Sequence, residues 1–210
     1  MQTTKTLREG SPHKRAAILA AARELFLTDG FDRSSIGAIA AKAGVSTRTV
    51  YDYFGDKQTL LRAVVEAIGQ SLVTAVQHTL DATLTGLTRP DELEDALVAF
   101  AMRIATDMLD SAEYATLQRL VVTESGHLPD RADQPISYAP DDALGERLAA
   151  LGRAGLLSVP DARLAADHFI ALTFGVALSR LGSANAAEDT RVRPLIEEGV
   201  RAFLRAYRPT

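Results

Sequence analysis

Cysteine is absent from the 210 residues, which excludes a disulfide framework, a thiolate nucleophile and a cysteine metal site. Long apolar runs are absent as well. No stretch of about 18 or more uncharged apolar residues occurs, so no segment reads as a bilayer span. The first ten residues, Met1 to Gly10, are polar and charged and hold no apolar export-signal region. A cytoplasmic protein without membrane contact is the expectation. Catalytic signatures are missing too. There is no GxSxG, P-loop or GxGxxG. The four histidines (His13, His78, His127, His168) lack metal-ligand spacing, and a single ExxH, Glu124 to His127, occurs where helical di-iron bundles use two. No enzymatic activity, metal or cofactor is expected. Strand-type alternation, internal repeats and low-complexity runs are also lacking.

What remains is a helix-forming chain. Apolar residues make up 47% and charged residues 24%, enough for a sizeable core under a charged surface. The net charge of −4 argues at first against a polyanion partner. Its distribution reverses the point. Residues 1–57 carry nine basic and six acidic side chains, a balance of +3, and hold all four lysines. Residues 58–210 carry 14 basic and 21 acidic side chains, a balance of −7. Such a dipolar chain offers one end to a polyanion.

Capping signals and periodicity divide the chain into about nine helices. Ser11 and Pro12 open the first. Its apolar positions Ile18, Ala21, Ala22, Leu25 and Phe26 form one face, and Gly30 ends it. Ser34 or Ser35 caps a short second helix that Gly44 breaks. Ser46 caps a third, from Thr47 to about Phe54. Further helices are expected at about Lys57–Leu84, Pro90–Leu109, Ala112–Ser125, Asp141–Leu156, Pro160–Leu181 and Glu188–Tyr207. His127–Pro140, with three prolines, reads as a flexible loop, and Gly182–Ala187 as a connection.

The segment Ser34–Lys57 reads SSIGAIAAKAGVSTRTVYDYFGDK. A helix of about nine residues, a tight turn at glycine and a helix of seven or eight residues make the helix-turn-helix layout. Ile36, Ile39, Ala40, Val45 and Val50 can lock the pair against the first helix. The outward face of the third helix then carries Thr47, Arg48, Thr49, Tyr51 and Tyr53. These are groups that meet phosphates and base edges, and a helix N-terminus itself favours phosphate. Short amphipathic helices with hydroxyls also occur in ordinary bundles. Here a basic lead-in helix, the turn glycine, the capping serine and YxYF before a lysine coincide.

From Ala16 to Glu66 the sequence AAILAAARELFLTDGFDRSSIGAIAAKAGVSTRTVYDYFGDKQTLLRAVVE resembles the N-terminal domain of the tetracycline-repressor (TetR) family of bacterial regulators. The landmarks are Phe26, Gly30-Phe31, Ile39-Ala40, Ala43-Gly44-Val45-Ser46, Tyr51, Phe54, Lys57 and Leu60-Leu61. RLVVTESGHLPD and LAADHFIALTFG in the remainder look like some members of that family. The resemblance implies an all-α protein with a DNA-binding domain at 1–57 and an effector-binding, dimerising domain at 58–210. It implies that Ser34 contacts a phosphate, that Ser46, Thr47, Arg48 and Thr49 contact bases and backbone, that Tyr51 and Tyr53 meet phosphates or thymine methyls, and that Lys57 binds a phosphate. Two positions depart from the family pattern. Arg48 stands where a small residue is common, which points to a discriminating contact, to guanine. Asp52 stands where an aromatic residue or histidine is common. A carboxylate there repels phosphate, so it either accepts from a cytosine amino group or orients a neighbouring arginine.

The body is then expected to dimerise and to hold a small effector. Leu164, Phe169, Leu172, Val176, Ile196, Val200, Phe203 and Leu204, on the last two helices, are candidates for a four-helix bundle with a partner's pair, or for the core of the chain itself. Met102, Thr106, Tyr114, Gln118, His168 and Leu172 are the candidate effector contacts. Arg103, Met108, Glu124 and Thr173 are weaker ones. A core histidine bonded to a carbonyl explains His168 equally well. The resulting expectation is a homodimeric repressor on a palindromic DNA operator, released by a small apolar or amphipathic molecule. Two alternatives stand beside it: a regulator whose body binds a protein, and a helical-bundle ligand-binding or enzymatic protein that has lost DNA binding.

Overall fold

The computed structural model describes residues 11–128, 139–181 and 189–209. Among these the chain is helical, with no strand. The helices are α1 (Pro12–Asp29), α2 (Ile36–Lys42), α3 (Thr47–Phe54), α4 (Lys57–Leu84) and α5 (Pro90–Arg103), which continues as a π-helical turn at Ile104–Leu109. They are followed by α6 (Ala112–Thr123), α7 (Ala139–Arg153), α8 (Ala162–Leu181) and α9 (Val192–Ala206). Helix α8 contains a second π-helical turn at Ala171–Gly175.

The first helix starts where expected, and other boundaries move. Ser11 starts α1 with its backbone carbonyl, which accepts from the Lys14 and Arg15 N–H groups at 3.0 and 3.3 Å. Its hydroxyl makes no capping bond. Asp161 starts α8 through its carboxylate, which accepts from the Leu164 N–H at 3.0 Å, so the helix begins after Pro160 rather than at it. Helix α9 begins at Val192. The expected loop His127–Pro140 has helical ends, a 3-10 turn at Ser125–His127 and the first turn of α7 from Ala139. Its centre, 129–138, lies outside the described residues, as does the connection at 182–187.

The described residues fall into two compact units. One contains the chain up to Gly69 together with the segment from Thr116 to Leu128. Its α1, α2 and α3 enclose Ile18, Phe26, Ile39, Val50 and Phe54, and Leu60 and Leu61 of α4 are equally inaccessible. Full burial of such side chains contributes about 1.5–3 kcal/mol each. Ser35 and Ser46 cap α2 and α3 by accepting from the Ala38 and Thr49 N–H groups, both at 3.1 Å. Between the two helices Gly44 has φ +66°, a conformation that side chains with a β-carbon oppose.

The second unit contains Gln70–Ala115 and the chain from residue 139 onward. Its core is built around rings. Phe169 lies 5.9 Å from Phe100 and 5.2 Å from Phe203, and Phe203 stacks on Tyr207 at 4.5 Å. Helix α9 crosses the π-turn of α8 at Gly199, where an added β-carbon would collide with the Leu172 carbonyl oxygen. Only glycine permits that approach. Four of the residues offered for dimerisation, Phe169, Ile196, Val200 and Phe203, are fully buried in this core. They complete the monomer. Leu164 and Leu178 stay 48% and 39% exposed.

Helices α4 and α8 are both long and apolar enough to cross a membrane by length and composition. The apolar window of α4 is 56% buried, whereas that of α8 is 28% buried. Helix α8 therefore carries much of its apolar surface outside the core of its own chain.

Candidate nucleic-acid interface

Helix α3 divides sharply into two faces. Val50 and Phe54 point inward and are buried, whereas Thr47, Arg48 and Tyr51 are exposed, with the Arg48 side chain 87% accessible. Arg48 lies close to the Asp52 carboxylate one turn on, with 3.8 Å between Nε and Oδ2. The Ser46 hydroxyl caps the helix and shares a 2.8 Å hydrogen bond with the Thr49 hydroxyl, so these two groups are partly committed to the helix start. Tyr53 is half-buried and donates from its hydroxyl to the Ser11 carbonyl at 3.3 Å. The Arg15 guanidinium lies 5.6 Å from the Phe54 ring centre, a second tie between the start of α1 and the end of α3.

Ser34 and Lys57 occupy a different environment. Ser34 is buried, and its hydroxyl donates to the Gly30 carbonyl at 2.7 Å and the Leu25 carbonyl at 3.1 Å. It closes the α1–α2 turn, and Ser35 alone caps α2. The Lys57 ammonium donates to the Ser34 carbonyl at 2.8 Å and to the Asp32 carbonyl at 3.4 Å, and lies 4.3 Å from the Phe31 ring centre. Lys57 is thus half-buried and joins the start of α4 to the same turn. One residue earlier, the Asp56 carboxylate accepts from the Thr59 N–H at 2.7 Å. That backbone hydrogen bond holds the Asp56 carboxyl below its ordinary range.

The candidate effector residues are dispersed. Gln118 is exposed and belongs to the first unit; Met102, Thr106, Tyr114, His168 and Leu172 belong to the second. Met102, Thr106, Tyr114 and Leu172 are half-buried. The Thr106 hydroxyl donates to the Met102 carbonyl at 3.1 Å inside the π-turn of α5. His168 is exposed and is not a core histidine; its Nδ1 pairs with the Tyr207 hydroxyl at 2.8 Å. Burial pushes the Tyr207 phenol up, and the Asp161 carboxylate adds to that shift. The polar residues that are most enclosed have hydrogen-bond partners within the protein. Thr173 donates to the Phe169 carbonyl at 2.7 Å, and Glu124 accepts from the Phe31 N–H at 3.1 Å.

Residues 18–64 match the family model for bacterial regulatory proteins of the tetR family, and residues 95–209 match that of the AefR-like transcriptional repressor C-terminal domain. The chain belongs to the TetR family of bacterial transcriptional regulators. Its function is DNA-binding transcriptional regulation, and it is not an enzyme. The HTH-type transcriptional repressor Rv3405c of Mycobacterium tuberculosis is 30% identical to this TetR-family chain over 168 residues, 79% of this chain and 73% of that protein. The solved structure of the flavonoid-responsive regulator FrrA is 29% identical and superposes with a TM-score of 0.73, covering 95% of this chain and 99% of the other. A TetR-family regulator from Mesorhizobium loti, at 23% identity, shares the fold with a TM-score of 0.77 over 94% of this chain and 99% of the other.

Sequence reasoning about this TetR-family chain overlooked His127 and misplaced Glu124. His127 stacks 4.2 Å from the Phe31 ring centre, and its Nε2 is 3.5 Å from the Asp32 carboxylate. Glu124 had only the signal of a polar residue after an apolar helix, which suggested a pocket. Its partner, 93 residues earlier in the chain, is visible only in three dimensions.

Proposed function

We propose that this regulator represses transcription as a homodimer on a palindromic operator and is released by a small amphipathic effector. The single observation that carries the DNA-reading part is the exposed outer face of α3, with Arg48 extended from it. Arg48 reads a base edge, and guanine O6 and N7 suit a guanidinium. Thr47, Thr49 and Tyr51 contact bases or backbone beside it. Ser46 and Tyr53, already tied internally, meet phosphates at the rim. Lys57 binds a phosphate with an ammonium that the α1–α2 turn holds in place, and Ser34 sets the shape of that turn.

Dimerisation uses the last two helices, α8 and α9. The apolar window of α8 that its own chain leaves largely uncovered, with Leu164 and Leu178 exposed, supports this assignment. Two recognition helices then meet successive major grooves about 34 Å apart. An effector weakens DNA binding by its preference for a different spacing of the two modules. The second unit holds it with Met102, Thr106, Tyr114, His168 and Leu172. Thr106 and Leu172 lie on π-helical turns, which recur at functional sites. The flavonoid response of the similar regulator FrrA supports a planar amphipathic molecule as the effector class. Binding to chromosomal DNA places the protein in the cytoplasm.

An electrophoretic shift assay with DNA from upstream of its own gene tests the reading. A salt-dependent complex that a flavonoid-type compound dissolves is the expected result. No retardation of any duplex at low salt would refute operator binding. A complex that no compound in a thermal-shift panel perturbs would refute the effector.

A further inference from the structure

The turn between α1 and α2 is held by a segment that lies far from it in sequence. After α6 the chain makes one 3-10 turn, Ser125–His127, closed by the His127 N–H donating to the Glu124 carbonyl at 2.9 Å. The turn presents two side chains to the Gly30–Ser34 corner. Glu124, 7% exposed, accepts the Phe31 N–H on Oε1 at 3.1 Å. His127 covers the Phe31 ring and approaches Asp32. A third bond joins the same turn to the head of α4, where the Gln58 amide donates to the His127 carbonyl at 3.1 Å. Lys57, over the Phe31 ring, is also tied to this corner.

The energetic case singles out Glu124. Burying a carboxylate is costly unless a donor satisfies it. The Phe31 N–H follows the end of α1, where no turn of helix remains to bond it. The carboxylate gives that N–H its acceptor, and the N–H is the nearer of two donors to Oε1, the Thr123 hydroxyl lying at 3.4 Å. A backbone amide bonded to a charged acceptor gives one of the stronger and more directional hydrogen bonds. This bond fixes the height of Phe31, and Phe31 in turn supports Lys57.

We propose that Glu124, assisted by His127, is a positioning residue for DNA binding: by holding Phe31 it sets the α1–α2 turn and Lys57 in their DNA-competent places. The proposal rests on the DNA-binding role of the module and adds a determinant that contacts no DNA.

The sign of the effect separates positioning from simple electrostatics. Removing a negative charge near a DNA-binding surface strengthens binding if charge alone matters. Removing a positioning residue weakens it. The full-length wild type, Glu124→Ala, Glu124→Met and Glu124→Gln are titrated with the upstream duplex at several salt concentrations. Glu124→Ala and the space-filling Glu124→Met are expected to bind about tenfold more weakly with an unchanged salt slope. Glu124→Gln keeps an acceptor oxygen and is expected to stay within about twofold of wild type. Equal or tighter binding by Glu124→Met overturns the proposal. Amide hydrogen exchange of the wild-type protein gives a test independent of any variant. The Phe31 amide is expected to be protected, and exchange at the rate of a free amide overturns the proposal. A wild type that binds no duplex would refute the DNA-binding reading instead, and the Phe31 amide would still decide whether the turn is held.

Discussion

The Nε of Arg48 stands 3.8 Å from the Oδ2 of Asp52, one turn further along the outer face of α3. Both side chains are accessible, and an exposed i,i+4 pair contributes well under about 1 kcal/mol to stability. The value of the pair lies in orientation. A carboxylate beside a guanidinium narrows the rotamers of a long side chain before it meets a base. It also discourages a nearby phosphate. Of the two roles left open for Asp52, orienting an arginine is the one this geometry supports.

Arg48→Ala is expected to relax selectivity at one operator position and to cost about 1–3 kcal/mol on the cognate site. Asp52→Asn should blunt selectivity at the same position with a smaller loss. A selection over randomised operators in both backgrounds checks this. Uniform weakening across all sequences would reduce Arg48 to a phosphate contact.

Lys57 combines two roles, and its removal should affect two measurements. Lys57→Ala is expected to lower the slope of log affinity against log salt by about one, the loss of one phosphate contact. It also deprives the Ser34 and Asp32 carbonyls of a donor and the Phe31 ring of a cation. Thermal unfolding should therefore report a destabilisation of about 1 kcal/mol. Loss of stability with an unchanged salt slope would make Lys57 purely structural.

Asp56 stabilises the start of α4 through the Thr59 N–H, and Asp56→Ala is expected to cost about 1 kcal/mol at neutral pH. The carboxyl is held below its ordinary value of 3.8 in the folded protein. Its contribution is therefore complete above that value and is lost as the pH falls through the lower folded value. Denaturant unfolding of wild type and variant should differ at pH 7 and converge in strong acid. A difference that persists in acid would exclude the carboxylate as its source.

Gly199→Ala tests the crossing of α8 and α9. The added methyl would press on the Leu172 carbonyl, a backbone atom that cannot rotate aside. A loss of about 1–3 kcal/mol is expected. Wild-type stability would mean that the helices separate freely.

Leu164→Glu, on the exposed side of α8, is expected to shift the protein toward monomer in analytical ultracentrifugation and to weaken operator binding with it. An unchanged sedimentation coefficient would place the dimer interface elsewhere.

The sequence by itself determined the helix-turn-helix and the family. Capping serines, a turn glycine and apolar spacing of three and four are local signals, and a short three-helix module is built largely from local contacts. Helix α4 was legible for the same reason, from Lys57 to Leu84. Tertiary structure alone decided which apolar faces close the monomer. Phe169, Ile196, Val200 and Phe203 look the same in sequence whether they meet their own chain or a partner. It also decided that His168 points outward to Tyr207 and that Ser34 points inward. Above all it decided the partner of Glu124. A buried carboxylate needs a donor, and no pattern along the chain can name one that folding brings from 93 residues away.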